Sequence, residues 1–327
     1  PELLRIYEKK LELEMDPVGQ REIRYKIATL FESEIRDPAQ AIAAYKAILD
    51  GFGGEGELPA WRALDRIYTA TAHWQDLQET IPRELALVNP DDIAAIVDLK
   101  YRLGQIREEH LTDVVGAIDC YREILDLMPT HEGARLALER RLRDVGHQVD
   151  VAAILQPIYE QLGEWQKLIE VHEIQLARTA PDETLTQVTL LMRIGELWAQ
   201  HDPRQAFDAY SRCFRVDPAN EQCRAELERL AASLSAWSQL VTLYEEAIER
   251  GGLDSLLTRE LLMRVAAAYD ERLDRSDKAV EFYKRAQSID PEDITALEAL
   301  EKLYTRHERW PELLEVYRKK VELAGEP

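Results

Sequence analysis

The sequence lacks the residue patterns that build catalytic, metal-binding and phosphate-binding sites. It contains no HExxH, CxxC or Gly-x-Ser-x-Gly segment, and its seven histidines never occur four residues apart. The glycine-rich stretch at 51–57 is not followed by the Lys-Ser/Thr pair of a phosphate-binding loop, which favours a turn. We therefore predict no enzymatic activity, no bound metal and no cofactor.

Cysteine, glycine and proline are also scarce. The three cysteines, Cys120, Cys213 and Cys223, lie inside predicted helices, and an odd number in so long a chain excludes a disulfide framework. Buried thiols in a reducing compartment fit this pattern, and we predict a cytoplasmic location. With only 14 Gly and 14 Pro, long linkers and extended disorder are not expected.

Long hydrophobic runs are absent, and positive charge is in deficit. Charged residues interrupt every longer apolar stretch, so no membrane contact is predicted. The 62 acidic and 41 basic residues give a formal charge of -21, which repels nucleic acid. The expected partners are other proteins, with a preference for a basic segment.

What the sequence does contain is a spaced pattern that recurs four times. In one copy a small residue, Ala279, is followed by Tyr283, Ala286 and Pro291 at offsets of 4, 7 and 12. The small residue lets two helices approach, the tyrosine fills the space one turn further on, and the proline begins the next helix. The corresponding positions in the other copies are Ala41, Tyr45 and Ile48, then Ala117, Tyr121, Ile124 and Pro129, then Ala206, Tyr210, Cys213 and Pro218.

A second marker, tryptophan followed three residues later by leucine, alternates with the first pattern. It occurs at Trp74, Trp165, Trp237 and Trp310, and recurrence predicts that these side chains pack at a hairpin junction. No alternating strand pattern persists, so the expected fold is all-α with about 18 helices.

Together these positions resemble the tetratricopeptide repeat (TPR), a two-helix unit with small, aromatic and proline residues at this spacing. The resemblance implies a right-handed α-solenoid, a superhelix of stacked hairpins, whose first helices line a groove that binds other proteins. The general resemblance, with the bias toward Ala, Leu, Arg and Glu, favours a bacterial array.

One interval breaks the period. Pro129 and Trp165 are separated by 36 residues, whereas Pro218 and Trp237 are separated by 19. The surplus predicts an extra helix and a change of superhelix direction, so we divide the array into repeats at 1–130, an irregular junction at 131–163 and repeats at 164–327. An elongated loop, or one helix kinked at Gly146, is the alternative.

The two ends of the chain are related. Residues 1–13, PELLRIYEKKLEL, nearly repeat residues 311–323, PELLEVYRKKVEL. The chain thus opens and closes at the same repeat position, which predicts a fragment of a longer array.

The family's groove positions, carried onto the first helices, select a set of acids with aromatic or methionine residues between them. This arrangement suits a basic, partly apolar segment. The selected residues are Glu22, Tyr25, Glu32, Asp98, Tyr101, Glu108, Glu109, Met192, Glu196, Glu260, Met263, Asp270 and Glu271.

An alternative for these acids stays open. The tryptophan hairpins carry basic residues that could neutralise them across helices, namely Arg62, Arg66, Arg229, Lys302 and Arg306. The lysine and asparagine clamp with which some family members hold a peptide carboxylate is absent, because the chain has only Asn89 and Asn220, both beside proline turns.

The sequence leaves three functions open. A non-catalytic scaffold that binds protein segments is favoured. The first alternative is the regulatory array of a larger enzyme, a kinase or protease, whose catalytic domain lies outside these residues. The second is a scaffold in an RNA-processing complex without direct RNA contact.

Overall fold

The computed structural model describes residues 2–53 and 57–325, and in these two ranges the chain is entirely helix and connecting turns. The chain divides into two compact units, Pro1–Leu162 and Gly163–Pro327. The helices of the first unit are α1 (Glu2–Leu13), α2 (Pro17–Thr29), α3 (Pro38–Phe52), α4 (Leu58–Thr71), α5 (Trp74–Leu85), α6 (Ile93–Glu109), α7 (Val114–Leu127), α8 (Glu132–Arg141) and α9 (Gln148–Leu162). Those of the second unit are α10 (Trp165–Arg178), α11 (Thr184–Ala199), α12 (Pro203–Val216), α13 (Glu221–Leu234), α14 (Trp237–Arg250), α15 (Ser255–Glu271), α16 (Ser276–Ile289), α17 (Ile294–Arg306) and α18 (Trp310–Ala324).

The helices follow the two sequence markers. In each copy the first helix packs against the next helix in the chain, which carries the Ala-Tyr pattern. The pairs are α2 with α3, α6 with α7, α11 with α12 and α15 with α16. Tryptophan begins α5, α10, α14 and α18. The predicted all-α fold of helical hairpins is confirmed.

Side-chain caps place the helix starts. The side chain of the residue before the helix accepts a hydrogen bond from a backbone N–H in the first turn, which satisfies a donor that the helix leaves unpaired. This cap occurs at Asp37, Asp92, Asp113, Asp202, Asn220, Asp254 and Asp293.

The core of each unit is built from the pattern residues. Ala41, Ala206 and Ala279 are fully buried, and the tyrosines that follow each of them are also buried. In α6 and α11 a glycine faces the tyrosine of the next helix. A Cβ on Gly104 would lie 2.7 Å from the Tyr121 ring, and a Cβ on Gly195 would lie 2.6 Å from the Tyr210 ring. The small residues thus let each tyrosine lie flat against the neighbouring helix.

Three stretches have distinctive local structure. Helix α2 continues into a π-helical turn, Leu30–Ile35, which closes on Arg36 with φ of 58°. The stretch 131–163 forms two separate helices, α8 and α9, joined by a turn that contains Gly146. Gly53 ends α3 with φ of 82°, and the rest of the predicted glycine turn, 54–56, lies outside the described residues.

Candidate functional site

The acids predicted to line the groove fall into two groups. Glu32, Glu108 and Asp270 are held in contacts with side chains of other helices. Glu22, Asp98, Glu109 and Glu271 are exposed, and within residues 2–53 and 57–325 they form no ion pair. We name the second group the solvent-facing acids.

In the first copy, Glu32 joins three helices. Its carboxylate accepts a hydrogen bond from the Tyr45 hydroxyl at 2.9 Å and two from the Arg66 guanidinium at 2.7 and 2.9 Å. The tyrosine comes from α3 and the arginine from α4, so a single carboxylate links the first, second and third helices of the copy. We name this arrangement the acid–tyrosine–arginine cluster.

The second copy repeats the cluster with equivalent residues. Glu108 accepts from the Tyr121 hydroxyl at 2.7 Å and from Arg141 at 2.6 Å. Its side chain is 10% exposed. Because two charge-assisted donors satisfy it, this carboxylate stabilises the hairpin and is little accessible to a partner.

In the third and fourth copies the cluster is incomplete. Asp270 accepts two bonds from Arg306 at 2.7 and 2.8 Å, and burial together with nearby Asp270 raises the pKa of Tyr283 to about 12. Glu196 instead pairs with Arg193 of its own helix at 3.1 Å. The arginine of the third copy, Arg229, donates to Glu226 at 2.7 and 2.9 Å.

These contacts bear on the predicted neutralisation of groove acids by arginine. Arg66 and Arg306 bind groove acids, whereas Arg62 binds the buried Glu84 at 3.1 Å and Arg229 binds Glu226. The neutralisation therefore applies to Glu32 and Asp270.

The cluster makes stability depend on acid pH. Desolvation raises the pKa of Glu32, but the hydrogen bonds from Arg66 and Tyr45 outweigh it, so the pKa lies below the ordinary 4.5. A carboxyl group with a lowered pKa in the folded state contributes stability above its unfolded pKa, and this stability is lost as the pH falls through the folded value.

We expect Arg66→Gln to reduce this acid dependence. The free energy of unfolding of the wild type should fall between about pH 6 and about pH 3, and the variant should lose less over the same range. Denaturant titrations at the two pH values measure both. Arg83→Gln, which changes an exposed arginine of α5, is the control. Its free energy of unfolding should fall over this pH range by as much as that of the wild type. Identical losses in the wild type and in Arg66→Gln would contradict the role of Arg66.

The remaining predicted residues occupy partly buried places. The Tyr25 hydroxyl donates to Glu57 at 2.7 Å, and the Tyr101 ring lies 5.0 Å from His131 and 6.0 Å from Tyr121. Tyr25 also lines, with Glu22, an open groove of about 480 Å³ between α1 and α2. Met192 is buried, and Met263 is half-buried.

Glu260 lies between two arginines of the second unit. Its carboxylate is 3.4 Å from the Arg224 guanidinium and 2.9 Å from that of Arg264. It therefore belongs with the paired acids.

Contacts between successive copies were not predicted from the sequence. Asp65 of α4 accepts two hydrogen bonds from Arg102 of α6, at 2.9 and 2.6 Å. The Trp74 ring stacks on His110 with ring centres 3.8 Å apart, and Trp165 stacks on His201 at the same separation. The separation of 36 residues that recurs from Trp74 to His110 and from Trp165 to His201 was the available signal.

Two features are absent from the described part of the chain. No group of three or more His, Cys, Asp or Glu side chains there is arranged to hold a metal ion. None of the helices in that part is both long and apolar enough to span a bilayer.

The chain was compared with known proteins and solved structures. No curated protein matches it. Among solved structures, a crystal structure of MamA covers 55% of this chain and 93% of its own, with 17% identity and a TM-score of 0.33. The match to the P58(IPK) TPR domain covers 91% of this chain and 92% of that domain, with 12% identity and a TM-score of 0.25. The match to the C-terminal part of a TPR repeat-containing protein from Cytophaga hutchinsonii covers 84% of this chain and 99% of that structure, with 18% identity and a TM-score of 0.30.

The family comparison is the more specific one. The family described as tetratricopeptide repeat matches residues 154–185 and 296–327. The second match contains most of α17 and all of α18, which form one helical hairpin. These two segments therefore match the tetratricopeptide repeat, and the Ala-Tyr hairpins of both units have the same two-helix plan.

Proposed function

We propose that this array is a non-catalytic scaffold that binds segments of other proteins on the exposed faces of its first helices. Tetratricopeptide repeats are in general protein-interaction scaffolds, which supports the broad role. The finer proposal is that the bound segment carries basic residues separated by apolar ones.

The observation that carries the proposal is the division among the acids. Glu22, Asp98 and Glu109 of the first unit and Glu271 of the second face solvent and form no ion pair within the described residues, although arginine neutralises acids beside them. Exposed charges of one sign attract an oppositely charged segment and raise its association rate.

Apolar groups next to the acids supply the area that the segment buries. In the first unit these are Tyr25 and Leu3, which line the groove beside Glu22. In the second unit Met263 is half-buried on the same helix as Glu271. Methionine adapts its shape to varied partners, so the surface fits a segment rather than a single rigid ligand.

Charge reversal in the first unit tests the proposal. The probe is a fluorescent peptide with lysine at every third or fourth position and leucine between. The variant Glu22→Lys, Asp98→Lys, Glu109→Lys should bind it at least about tenfold more weakly than the wild type, because attraction becomes repulsion. Binding should also weaken with added salt, since these charges are exposed to screening. Fluorescence anisotropy measures both effects.

The matched control makes the same change in net charge elsewhere in the unit. Asp50, Glu79 and Asp126 are exposed acids on α3, α5 and α7, and their reversal to lysine should leave most of the binding intact. If the two triple variants lost peptide affinity equally, net charge alone would explain the effect, and the proposed surface would be wrong.

Other features of the proposal concern location, origin and organisation. The three cysteines are free and buried, which supports a reducing, cytoplasmic compartment. Bacterial origin and the assignment of 131–163 as a junction remain proposals that rest on the resemblance and on the interrupted period.

A further inference from the structure

Two buried carboxyl groups meet at the junction of α4, α5 and α6. Asp65 of α4 and Glu84 of α5 are each 5% exposed, and their side chains lie within hydrogen-bond reach of each other. Two ionised carboxylates so close together inside a protein repel each other strongly, because little water is present to screen them. A proton held between the two groups removes this repulsion.

The contacts of Asp65 are those of an ionised group. Its two oxygens accept hydrogen bonds from Arg102 of α6 at 2.9 and 2.6 Å, and the Thr69 hydroxyl donates to Oδ1 at 3.1 Å. Bidentate pairing with a guanidinium favours the carboxylate form. A carboxylate offers about four positions to donors, so Oδ2, which accepts one of these bonds, can accept another.

The contacts of Glu84 leave one of its oxygens without a donor. Oε1 accepts from Nε of Arg62 at 3.1 Å, but the Arg62 side chain is 57% exposed, so water weakens this ion pair. Oε2 is buried, and no described residue donates to it. An ionised oxygen buried without a donor is costly, whereas a protonated one is itself a donor. Asp65 is the acceptor beside it.

The other copies do not place two acids at these positions. Asp65 precedes Trp74 by nine residues, and Glu84 follows it by ten. The fourth copy has Glu301 and Lys320 there, and the lysine donates to the glutamate. The second and third copies have, in the same order, Gln156 with Gln175 and Glu228 with Ala247. The requirement for a proton is thus particular to the first copy.

The charges around the pair favour a proton on Glu84. Burial raises the pKa of Glu84, the Arg62 guanidinium lowers it, and the charge and hydrogen bond of Asp65 raise it again, so that it lies above the ordinary 4.5. The charged groups that face the pair from the two neighbouring helices are Arg62 and Arg66 of α4 and Asp98 and Arg102 of α6.

Helix α5 is weakened close to Glu84. Pro82 lies inside the helix and has no N–H to donate to the carbonyl of Gln78, four residues earlier. The last turn of α5 therefore has one backbone hydrogen bond fewer than a regular helix, and the side-chain contacts of Glu84 have a larger part in holding it against α4.

We propose that Glu84 is held as a carboxylic acid that donates a hydrogen bond to Asp65, and that loss of this proton as the pH rises loosens the last turn of α5 from α4. The proton comes from water and returns to it, so the step needs no other reactant. This pH-sensitive contact lies inside the first unit and does not depend on the proposed function.

Glu84→Gln tests the proposal, because glutamine imitates the protonated form at every pH. Its amide can accept from Arg62 and donate to Asp65. Denaturant titrations compare the wild type with the variant at a series of pH values from about 4 to about 9. A raised pKa in the folded state adds stability at low pH that is lost as the pH rises through that pKa. The unfolding equilibrium constant of the wild type, relative to the variant, should therefore rise about tenfold for each pH unit between the ordinary pKa and the folded one.

Two further measurements read the pair directly. In carbon-13 NMR of the wild type, the Glu84 carboxyl should titrate at a higher pH than that of Glu79, an exposed acid of the same helix. Amide hydrogen exchange of residues 83–85, corrected for its intrinsic pH dependence, should show protection that falls over the same interval in the wild type and stays constant in Glu84→Gln.

Glu79→Gln is the matched control, and its stability relative to the wild type should vary little with pH. A Glu84 carboxyl that titrates together with Glu79, or a stability difference between Glu84→Gln and the wild type that does not change with pH, overturns the proposal. Protection of residues 83–85 that is independent of pH in the wild type would contradict the loosening of the turn.

Discussion

Replacing Tyr121 with alanine is expected to lower the free energy of unfolding of the first unit by about 3–5 kcal/mol, the usual range for removing a buried aromatic ring. The side chain is 1% exposed and fills the space against Gly104 of α6. Its hydroxyl donates to Glu108 at 2.7 Å, so the substitution leaves a cavity and also a carboxylate with one donor fewer.

Denaturant unfolding followed by circular dichroism measures the effect. Tyr121→Phe keeps the ring and removes only the hydroxyl, and should cost about 1–3 kcal/mol because the lost hydrogen bond is to a charged group. Tyr7→Ala is the control, since α1 contains no buried residue. If Tyr121→Ala cost no more than Tyr7→Ala, the packing described for the second copy would be wrong.

Gly195→Ala is expected to destabilise the second unit although alanine favours helix. The helical preference of alanine over glycine is about 1 kcal/mol. The new Cβ, however, would lie 2.6 Å from the buried Tyr210 ring, and overpacking of this kind costs about 1–3 kcal/mol or more. The clash should therefore decide the sign of the change.

Gly51 provides the matched control. It lies in the last turn of α3, and a Cβ there would meet nothing within 4 Å. Gly51→Ala should leave stability unchanged or raise it by up to about 1 kcal/mol. Thermal or denaturant unfolding distinguishes the two variants, and a stabilising Gly195→Ala would contradict the close approach of α11 to α12.

The architecture could be predicted because the repeat contains residue types that each indicate a particular local structure. A small residue four positions before a tyrosine marks a close helix contact, and an Asp-Pro pair marks a helix start, as at Asp37-Pro38 and Asp202-Pro203. The π-helical turn at Leu30–Ile35 had no such marker, because it depends on the wider hydrogen-bond pattern of the folded turn.

The candidate site was harder to predict, because residue types alone do not show which charged side chains form ion pairs in the folded chain. Glu108 and Glu109 are adjacent and chemically alike, yet one is held by Tyr121 and Arg141 and the other faces solvent. The arginine that decides this lies 33 residues away, on a helix whose position depends on the hairpin between. Similar separations at Glu32 and Arg66, and at Asp270 and Arg306, were visible in the sequence but had no meaning until the fold brought the helices together.

Trp310 shows the same limit. Its recurrence with the other three tryptophans predicts a packing residue, but its side chain is 59% exposed. Trp74, Trp165 and Trp237 are each covered by a histidine or arginine of the following copy, and no described residue does this for Trp310.

The most direct test compares Glu108→Gln with Glu109→Gln for both stability and peptide binding. Glu108→Gln should lower the free energy of unfolding by about 1–3 kcal/mol and leave binding of the lysine and leucine peptide unchanged. Glu109→Gln should change stability by less than about 0.5 kcal/mol and weaken the binding. If the two variants behaved alike, or if Glu108→Gln alone weakened the binding, the division between acids that hold the hairpins and acids that face a partner would be contradicted.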